Sequence, residues 1–210
     1  MKKFFTNIPQ APADRLSSYV YEPVGNDRLR LDMETSFPIL AAVHGYAVPG
    51  EEIRIIAVET REGGGTGNLE RLRREFAELC RRDNLLCPHG VETVSPTNGE
   101  QVAEHVATFQ KLINLTEDGD ELFACVTYGT KPGSMALLSA VRYAYRLRKN
   151  TSIPCVVYGH IHRIQEGGTV RSTPEVCDET ALIQVDEMVR MLADSGVHDP
   201  QAALNAILSL

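Results

Sequence analysis

The sequence lacks any apolar run that approaches the roughly 20 residues of a membrane-spanning helix. Its start also lacks a secretory leader, because the basic pair Lys2 and Lys3 is followed by neither a long apolar region nor a small-residue cleavage site. These two absences exclude a membrane-spanning protein and predict a cytoplasmic domain with no membrane partner.

Cysteine pairs with the spacing of a zinc or redox site are also missing. The chain has five cysteines: Cys80, Cys87, Cys125, Cys155 and Cys177. They form no CxxC motif, and several lie in apolar runs. An odd, scattered set is typical of free buried thiols in a reducing compartment. His160 and His162 share one face of a strand end without a third ligand at a recognisable spacing, so a polar strand end, ring stacking and proton transfer stay open. The sequence therefore predicts no metal and no cofactor.

Positive charge is scarce as well. The 21 lysines and arginines are outnumbered by 28 aspartates and glutamates, and the net charge of −7 argues against the basic face that binds long nucleic acid. A small anionic ligand stays open, because a few local cations and backbone amides can hold it against the overall charge. Any phosphate site should therefore be compact.

Strand and helix patterns alternate through most of the chain. Apolar runs predict the strands, and apolar residues at helical spacing predict helices beginning near Phe37, Asn68, Gly99 and Ser134; the strands are expected at 3–8, 52–60, 91–94, 122–126 and 153–158. Such alternation is typical of a parallel sheet wound by right-handed crossovers. We predict an α/β fold, Rossmann-like, with a mainly parallel sheet flanked by helices. A hairpin is also expected between Leu16–Val24 and Arg28–Asp32.

The pattern changes after Ile164. Residues 165–168 read as a flexible break, no β pattern follows, and two amphipathic helices are predicted over 179–193 and beyond Pro200. The predicted organisation is a Rossmann-like domain, 1–163, with a short helical C-terminal tail, 164–210.

The most informative stretch joins the most buried strand to a long helix and reads Val-Thr-Tyr-Gly-Thr-Lys-Pro-Gly-Ser over 126–134. Ligands of open α/β sheets bind outside the carboxyl ends of strands, where such loops lie. Glycines let backbone amides approach an anion, proline suits the first turn of a helix, and the helix N-terminus favours negative charge. We therefore predict a phosphate-binding loop composed of Thr127, Tyr128, Gly129, Thr130, Lys131, Pro132, Gly133 and Ser134.

Two other strand ends should open onto the same edge of the sheet. Thr6 and Asn7 close the first strand, and Gln10 follows. A Gly-rich bend follows the 52–60 strand and adds hydroxyl, amide and cationic groups: Thr60, Arg61, Gly65, Thr66 and Asn68. Together the three strand ends suit a ligand with several phosphates. Strand-end capping, a plain surface loop and a structural turn with an N-cap are the structural alternatives.

The 126–134 loop matches neither of the common nucleotide motifs. It is not a Walker A loop, because no Gly-Lys-Ser/Thr follows a glycine at the required spacing, and it is not GxGxxG. Nucleotide hydrolysis and dinucleotide redox chemistry therefore lose support.

A buried strand followed by Thr-x-Gly-x-Lys, with Pro, Gly and Ser before a long helix, resembles the signature loop of CARF domains, the CRISPR-associated Rossmann-fold sensors of type III immunity. That motif reads roughly Asp-x-Thr-x-Gly-x-Arg/Lys, and the matching positions are Thr127, Gly129 and Lys131. The first strand, ending in Thr6 and Asn7, is similar to the family's other ligand-contacting loop. Cys125 stands where the family often has Asp.

The resemblance covers roughly residues 1–163 and implies binding of cyclic tetra- or hexa-adenylate across the interface of a homodimer. A symmetric ring suits a symmetric cleft, since a two-fold dimer presents the same groups twice. The resemblance also implies metal-independent ring cleavage in some members, through attack of a ribose 2′-hydroxyl on the neighbouring phosphate. In that case Lys131 and Ser134 are the expected catalytic residues, with Thr6, Asn7 and Thr130 positioning the phosphate.

Two other functions stay open from the residues alone. An α/β enzyme acting on a mononucleotide or sugar phosphate would use the same 127–134 loop. A scaffold protein would bind its partners through the tail helices, and 178–210 is the segment predicted to contact an effector partner.

Overall fold

A computed structural model describes residues 1–59, 65–95, 101–166 and 169–209. Within these ranges seven strands form one sheet: β1 (Lys2–Asn7), β2 (Glu22–Val24), β3 (Ile53–Val58), β4 (Val91–Val94), β5 (Glu121–Cys125), β6 (Ser152–Glu166) and β7 (Thr169–Asp178). The same ranges contain six α-helices: α1 (Ile39–Tyr46), α2 (Gly65–Arg82), α3 (Val102–Ile113), α4 (Lys131–Leu147), α5 (Thr180–Asp194) and α6 (Pro200–Leu208). The predicted Rossmann-like α/β fold is confirmed.

Each central strand contains consecutive large apolar side chains, Phe4 and Phe5 in β1 and Leu122 and Phe123 in β5. Nearly every side chain of β1 and β5 is buried, as expected of strands covered on both faces. The helices instead turn one apolar stripe inward, and in α2 the side chains of Leu72, Phe76 and Leu79 are buried at helical spacing. The described part of this helix starts at Gly65, so Asn68 lies inside the helix.

The strand order is β2-β7-β6-β5-β1-β3-β4. β1 pairs in parallel with both β3 and β5, β3 with β4, and β5 with β6, whereas β7 runs antiparallel to β6. The chain moves outward from β1 through β3 to β4 and then returns to the other side of β1 to build β5 and β6. The order of the sheet therefore reverses between β1 and β5.

Helices cover both faces of the sheet. Residues of α1 and α2 share one apolar core with Phe4, Phe123 and Val157. The alternate residues of β1, Phe5 and Asn7, point to the opposite face. On that face α4 packs against β1, β5 and β6, and α3 packs against α4.

The predicted hairpin between Leu16–Val24 and Arg28–Asp32 was wrong. β2 pairs in parallel with β7, and Asp27–Leu29 is a short 3-10 turn instead of a second strand. The side chain of Asn26 caps this turn and also donates a 2.7 Å hydrogen bond to the Asp178 carboxylate at the end of β7. Contacts with a remote strand therefore decide the structure of this segment.

The expectation of no β structure after Ile164 was also wrong. β6 continues to Glu166, and β7 returns beside it as far as Asp178. The chain divides into two compact units, 1–178 and 179–210, so the α/β unit extends past residue 163. The second unit contains α5 and α6.

Candidate functional site

The reversal of strand order places the carboxyl ends of β1 and β5 side by side at the middle of the sheet. The chain leaves β1 toward one side and leaves β5 toward the other, and ligands of open α/β sheets bind at such a switch point. The loop after β5 is the predicted phosphate-binding loop. We call the group formed by Asn7, Gly129, Thr130, Lys131 and Ser134 the switch-point site.

Asn7 connects the two strand ends. Its side chain is only 3% exposed, and its Nδ2 donates a 3.4 Å hydrogen bond to Ser134 Oγ in the first turn of α4. Gly129 has a positive φ of 92°, and a Cβ atom built there would lie 2.8 Å from Asn7 Cβ. Only glycine therefore lets the loop backbone approach Asn7 this closely.

The loop ends in a capped helix. Thr130 is the N-cap of α4, and its Oγ1 accepts a 3.1 Å hydrogen bond from the Gly133 N–H. Pro132 lies in the first turn, where its missing N–H costs nothing. Ser134 Oγ donates a 3.2 Å hydrogen bond back to the Tyr128 carbonyl. The structural alternative, a turn with an N-cap, is therefore observed in the same segment as the switch-point site.

Backbone donors are left available between the strand and the helix. In the described part of the chain, the N–H groups of Gly129, Thr130 and Lys131 make no hydrogen bond. They stand next to a helix N-terminus and are followed by the exposed side chain of Lys131. Consecutive free amides, a helix dipole and one cation are a suitable arrangement for a phosphate group.

Thr127 holds the loop to the neighbouring strand. Its Oγ1 accepts a 2.7 Å hydrogen bond from the Gly159 N–H of β6 and lies 3.1 Å from Cys125 Sγ. Complete burial raises the pKa of the Cys125 thiol, so this group stays neutral where the CARF motif often has an aspartate. The hydroxyl of Thr127 is therefore occupied by the fold and supports the loop from behind.

Tyr128 also faces the protein interior. Its hydroxyl donates a 2.6 Å hydrogen bond to the Ser36 carbonyl, and its ring contacts Phe37 edge-on. Burial raises the pKa of Tyr128, and the nearby Tyr21 hydroxyl raises it further. The sequence predicted Tyr128 as a ligand-binding residue of the loop; in the structure its hydroxyl belongs to the packing beneath the loop.

A polar network that sequence reasoning missed continues behind Tyr128. Glu75 of α2 accepts hydrogen bonds from the Thr35 hydroxyl, at 2.6 Å, and from the Ser36 N–H, at 2.9 Å. Arg71 pairs with the same carboxylate at 3.0 Å. The buried Glu75 offered one sequence signal, since a carboxylate on the apolar side of an amphipathic helix needs a partner.

The other predicted residues of β1 and α2 lie in different environments. Thr6 is 1% exposed and its hydroxyl donates to the Asn7 carbonyl, so it lies beneath the site, whereas Gln10 is exposed. Asn68 is buried and donates to the Pro9 and Ala11 carbonyls, which ties the start of α2 to the loop after β1.

Gly65 is the buried first residue of α2, and Thr66 beside it is exposed. Thr60 and Arg61 lie outside the described residues. The structure therefore brings together Asn7 with the 129–134 segment, while the contributions predicted for the Gly-rich bend stay predictions.

The described residues contain neither a cluster of metal-ligating side chains nor a helix that could span a membrane. No group of three or more histidine, cysteine, aspartate or glutamate side chains there is arranged to hold a metal ion. None of the helices in that part of the chain is both long enough and apolar enough to span a bilayer.

In the second unit, α5 and α6 expose large apolar side chains, among them Leu182, Met191 and Leu208.

Comparison with known proteins adds no relative. No protein-family model matches the chain. No curated protein matches it either.

Proposed function

We propose that the chain binds a cyclic oligoadenylate, cyclic tetra- or hexa-adenylate, through the switch-point site. The observation that carries the proposal is the run of free backbone amides at Gly129, Thr130 and Lys131, next to the buried Asn7 amide. Phosphate oxygens accept hydrogen bonds from such amides, and Lys131 supplies a compensating positive charge. The proposed role is a sensor in type III CRISPR antiviral signalling, as the resemblance of the loop to CARF domains implies.

The proposed binding unit is a homodimer. A cyclic tetra-adenylate has rotational symmetry, and a two-fold pair of chains would present two copies of Asn7 and Lys131 to opposite phosphates. Two sites that act on one ring raise the affinity well above that of one site, because the second contact is intramolecular.

Ring cleavage without a metal is a second candidate, favoured by the position of Lys131 at the helix N-terminus. In this step the ribose 2′-oxygen forms a bond to the adjacent phosphorus, the bond from phosphorus to the 5′-oxygen breaks, and the proton passes from the 2′-hydroxyl to the leaving oxygen. Lys131 and the loop amides would stabilise the charge that develops on the phosphate. The Ser134 hydroxyl, held between Asn7 and the Tyr128 carbonyl, would orient it.

A mononucleotide or sugar phosphate is the alternative ligand class. The supporting observation is that one chain alone supplies the switch point between β1 and β5, which is where single-chain α/β enzymes bind nucleotides. Such a ligand would saturate a monomer at one molecule per chain.

Incubation with radiolabelled cyclic tetra- and hexa-adenylate in EDTA, followed by gel shift and product chromatography, tests the proposal. We expect a shift that is lost in Lys131→Ala and retained in Lys149→Ala, a matched change of an exposed lysine beyond the other end of α4. Linear products would establish cleavage, and a shift without products would leave a sensor or a sponge. Absence of a shift with both rings, or equal shifts by both variants, would overturn the proposal.

A further inference from the structure

Three aromatic side chains form an exposed row on β6. The Tyr158 and His160 ring centroids are 6.1 Å apart with an interplanar angle of 23°, and those of His160 and His162 are 6.0 Å apart with an angle of 37°. Tyr158 is 39% exposed, and the His162 side chain is 53% exposed. Core packing therefore does not account for this aromatic row.

The aromatic row lies on the same face of the sheet as the switch-point site. A Cβ atom on Gly159 would meet Pro38 at the start of α1, so Gly159 faces the α1 side. Successive side chains of a strand point to opposite faces, so Tyr158 and His160 face the α4 side. Asn7 points to that side as well, where it bonds Ser134 of α4.

The aromatic row also lies at the carboxyl edge of the sheet, as the switch-point site does. β6 runs parallel to β5, whose last residue, Cys125, pairs with Val157. Everything in β6 beyond Val157 therefore extends past the carboxyl edge, where the 126–134 loop leaves β5. The 2.7 Å hydrogen bond from the Gly159 N–H to Thr127 Oγ1 fixes the backbone of the row to that loop.

Cross-strand neighbours leave the rings accessible. Tyr158, His160 and His162 pair with Cys177, Glu175 and Thr173 of β7, which share their face. A carboxylate oxygen of Glu175 lies 3.9 Å from His162 Nδ1. No group of three metal-ligating side chains includes the row within the described residues. Exposed aromatic rings, two of them stacked, beside the switch-point site suit a planar ligand group.

We propose that the aromatic row is the nucleobase-binding surface of the switch-point site, and that it stacks the adenine bases of the ligand. The inference rests on the proposed function and deepens it, because it requires a ligand with a base next to its phosphate. Base stacking on aromatic side chains is strong and tolerant of ring type, so tyrosine and histidine both serve. A sugar phosphate, which has no base, would gain nothing from these rings.

Equilibrium binding of two probes, cyclic tetra-adenylate and inorganic tripolyphosphate, tests the inference. Tyr158→Ala and His160→Ala should each weaken binding of cyclic tetra-adenylate about tenfold and leave tripolyphosphate unchanged. Tyr158→Phe keeps the ring and should restore binding. Arg163→Gln, an exposed change on the other face of the same strand, is the matched control and should leave both affinities unchanged. Lys131→Ala should weaken both probes.

Proton NMR adds a direct readout, since stacked bases shift the ring protons of the histidines they cover. The signals of His160 and His162, assigned with His160→Gln and His162→Gln, should move on addition of cyclic tetra-adenylate and stay in place with tripolyphosphate.

The inference would be overturned if Tyr158→Ala and His160→Ala bound cyclic tetra-adenylate with wild-type affinity. It would also be overturned if these variants lost affinity equally for both probes. If Lys131→Ala still weakened binding of both probes, the proposed function would stand without the inference about the aromatic row. A wild-type chain that binds neither probe would overturn both.

Discussion

A methyl group on Gly129 would collide with Asn7, its Cβ lying 2.8 Å from both Cβ and Cγ of that residue. The two residues belong to loops that follow different strands, and they meet because β1 and β5 are neighbours in the sheet. Asn7 in turn bonds Ser134, so this one contact joins the end of β1, the loop after β5 and the start of α4. Replacing Gly129 should therefore disturb the whole site.

Gly129→Ala should destabilise the fold more than an alanine at an open glycine does. Positive φ alone costs an alanine about 1–2 kcal/mol, and the forced contact with Asn7 adds about 1–3 kcal/mol. Urea denaturation of Gly129→Ala and of Gly50→Ala separates these contributions, because Gly50 has a φ of 83° with nothing within 4 Å of the added Cβ. Equal losses of unfolding free energy would show that the Asn7 contact is not tight.

Thr127→Val should loosen the junction between the loop and β6. The substitution keeps the shape and removes the acceptor of the Gly159 N–H, which costs about 1–3 kcal/mol where that group stays away from water. Thr127→Ser keeps the hydroxyl and should lose much less stability. Hydrogen exchange at the Gly159 amide is the local measurement, and it should accelerate in Thr127→Val alone. Unchanged exchange would contradict a positioning role for Thr127.

The buried tyrosines behind the loop should make the protein alkali-sensitive. Desolvation raises the pKa of Tyr21 from 10.0 to about 12, and it also raises the pKa of Tyr128. Between pH 10 and 12 the unfolded chain therefore binds fewer protons than the folded chain, so ionisation favours unfolding and stability falls as pH rises. The tyrosine contribution is fully present below pH 10.

Urea denaturation at a series of pH values above 9 measures this loss. Tyr21→Phe removes one ionising group and should make the decline of the unfolding free energy shallower. Ultraviolet titration provides the control, since urea-unfolded protein should show every tyrosine ionising near pH 10. A native titration that matches the unfolded one would contradict the burial of Tyr21 and Tyr128.

A buried ion pair stabilises the opposite end of β1. Lys3 is completely buried, and its Nζ lies 2.8 Å from Asp120 Oδ2 and 2.9 Å from the Leu115 carbonyl. Lys3→Met leaves the Asp120 carboxylate buried without its main partner and should cost about 3–5 kcal/mol. Arg73→Met, which removes an exposed ion pair with Glu70, should cost at most about 1 kcal/mol.

The double variant Lys3→Met with Asp120→Leu separates pairing from packing. Removing both charges avoids an unpaired ion, so the double variant should unfold with a higher free energy than Lys3→Met alone. A double variant that is as unstable as the sum of two separate losses would contradict the pairing account.

The regular part of the fold was predictable because its physical signal is local. β3 and β5 are mainly apolar runs, and each of α2, α3 and α4 repeats apolar residues at helical spacing. β7 escaped prediction because its sequence, with Pro174 in the middle, lacks the apolar alternation of a half-buried strand. β7 is stabilised by its pairing with the long β6 strand, and such pairing cannot be recognised from the amino-acid composition of the segment.

The loop of the switch-point site could be predicted from the sequence, whereas the buried contacts that support the loop could not. Glycine, lysine and a helix start in one segment indicated a phosphate site at 127–134. The direction of Tyr128 depends on contacts with Ser36 and Phe37, which lie far from it in the sequence, so no local pattern showed that its hydroxyl turns inward. The contact between Asn7 and Gly129 depends on strand order, which the sequence indicates only through the general rules of parallel sheets.

Titration calorimetry of cyclic tetra-adenylate into the wild-type chain and into Lys131→Ala is the decisive test of ligand binding at the switch-point site. We expect saturable wild-type binding with one cyclic ligand for two chains, and a loss of affinity of at least tenfold in Lys131→Ala. Affinity that Lys131→Ala leaves unchanged, or an absence of saturable wild-type binding, would contradict the assignment of the switch-point site to this ligand.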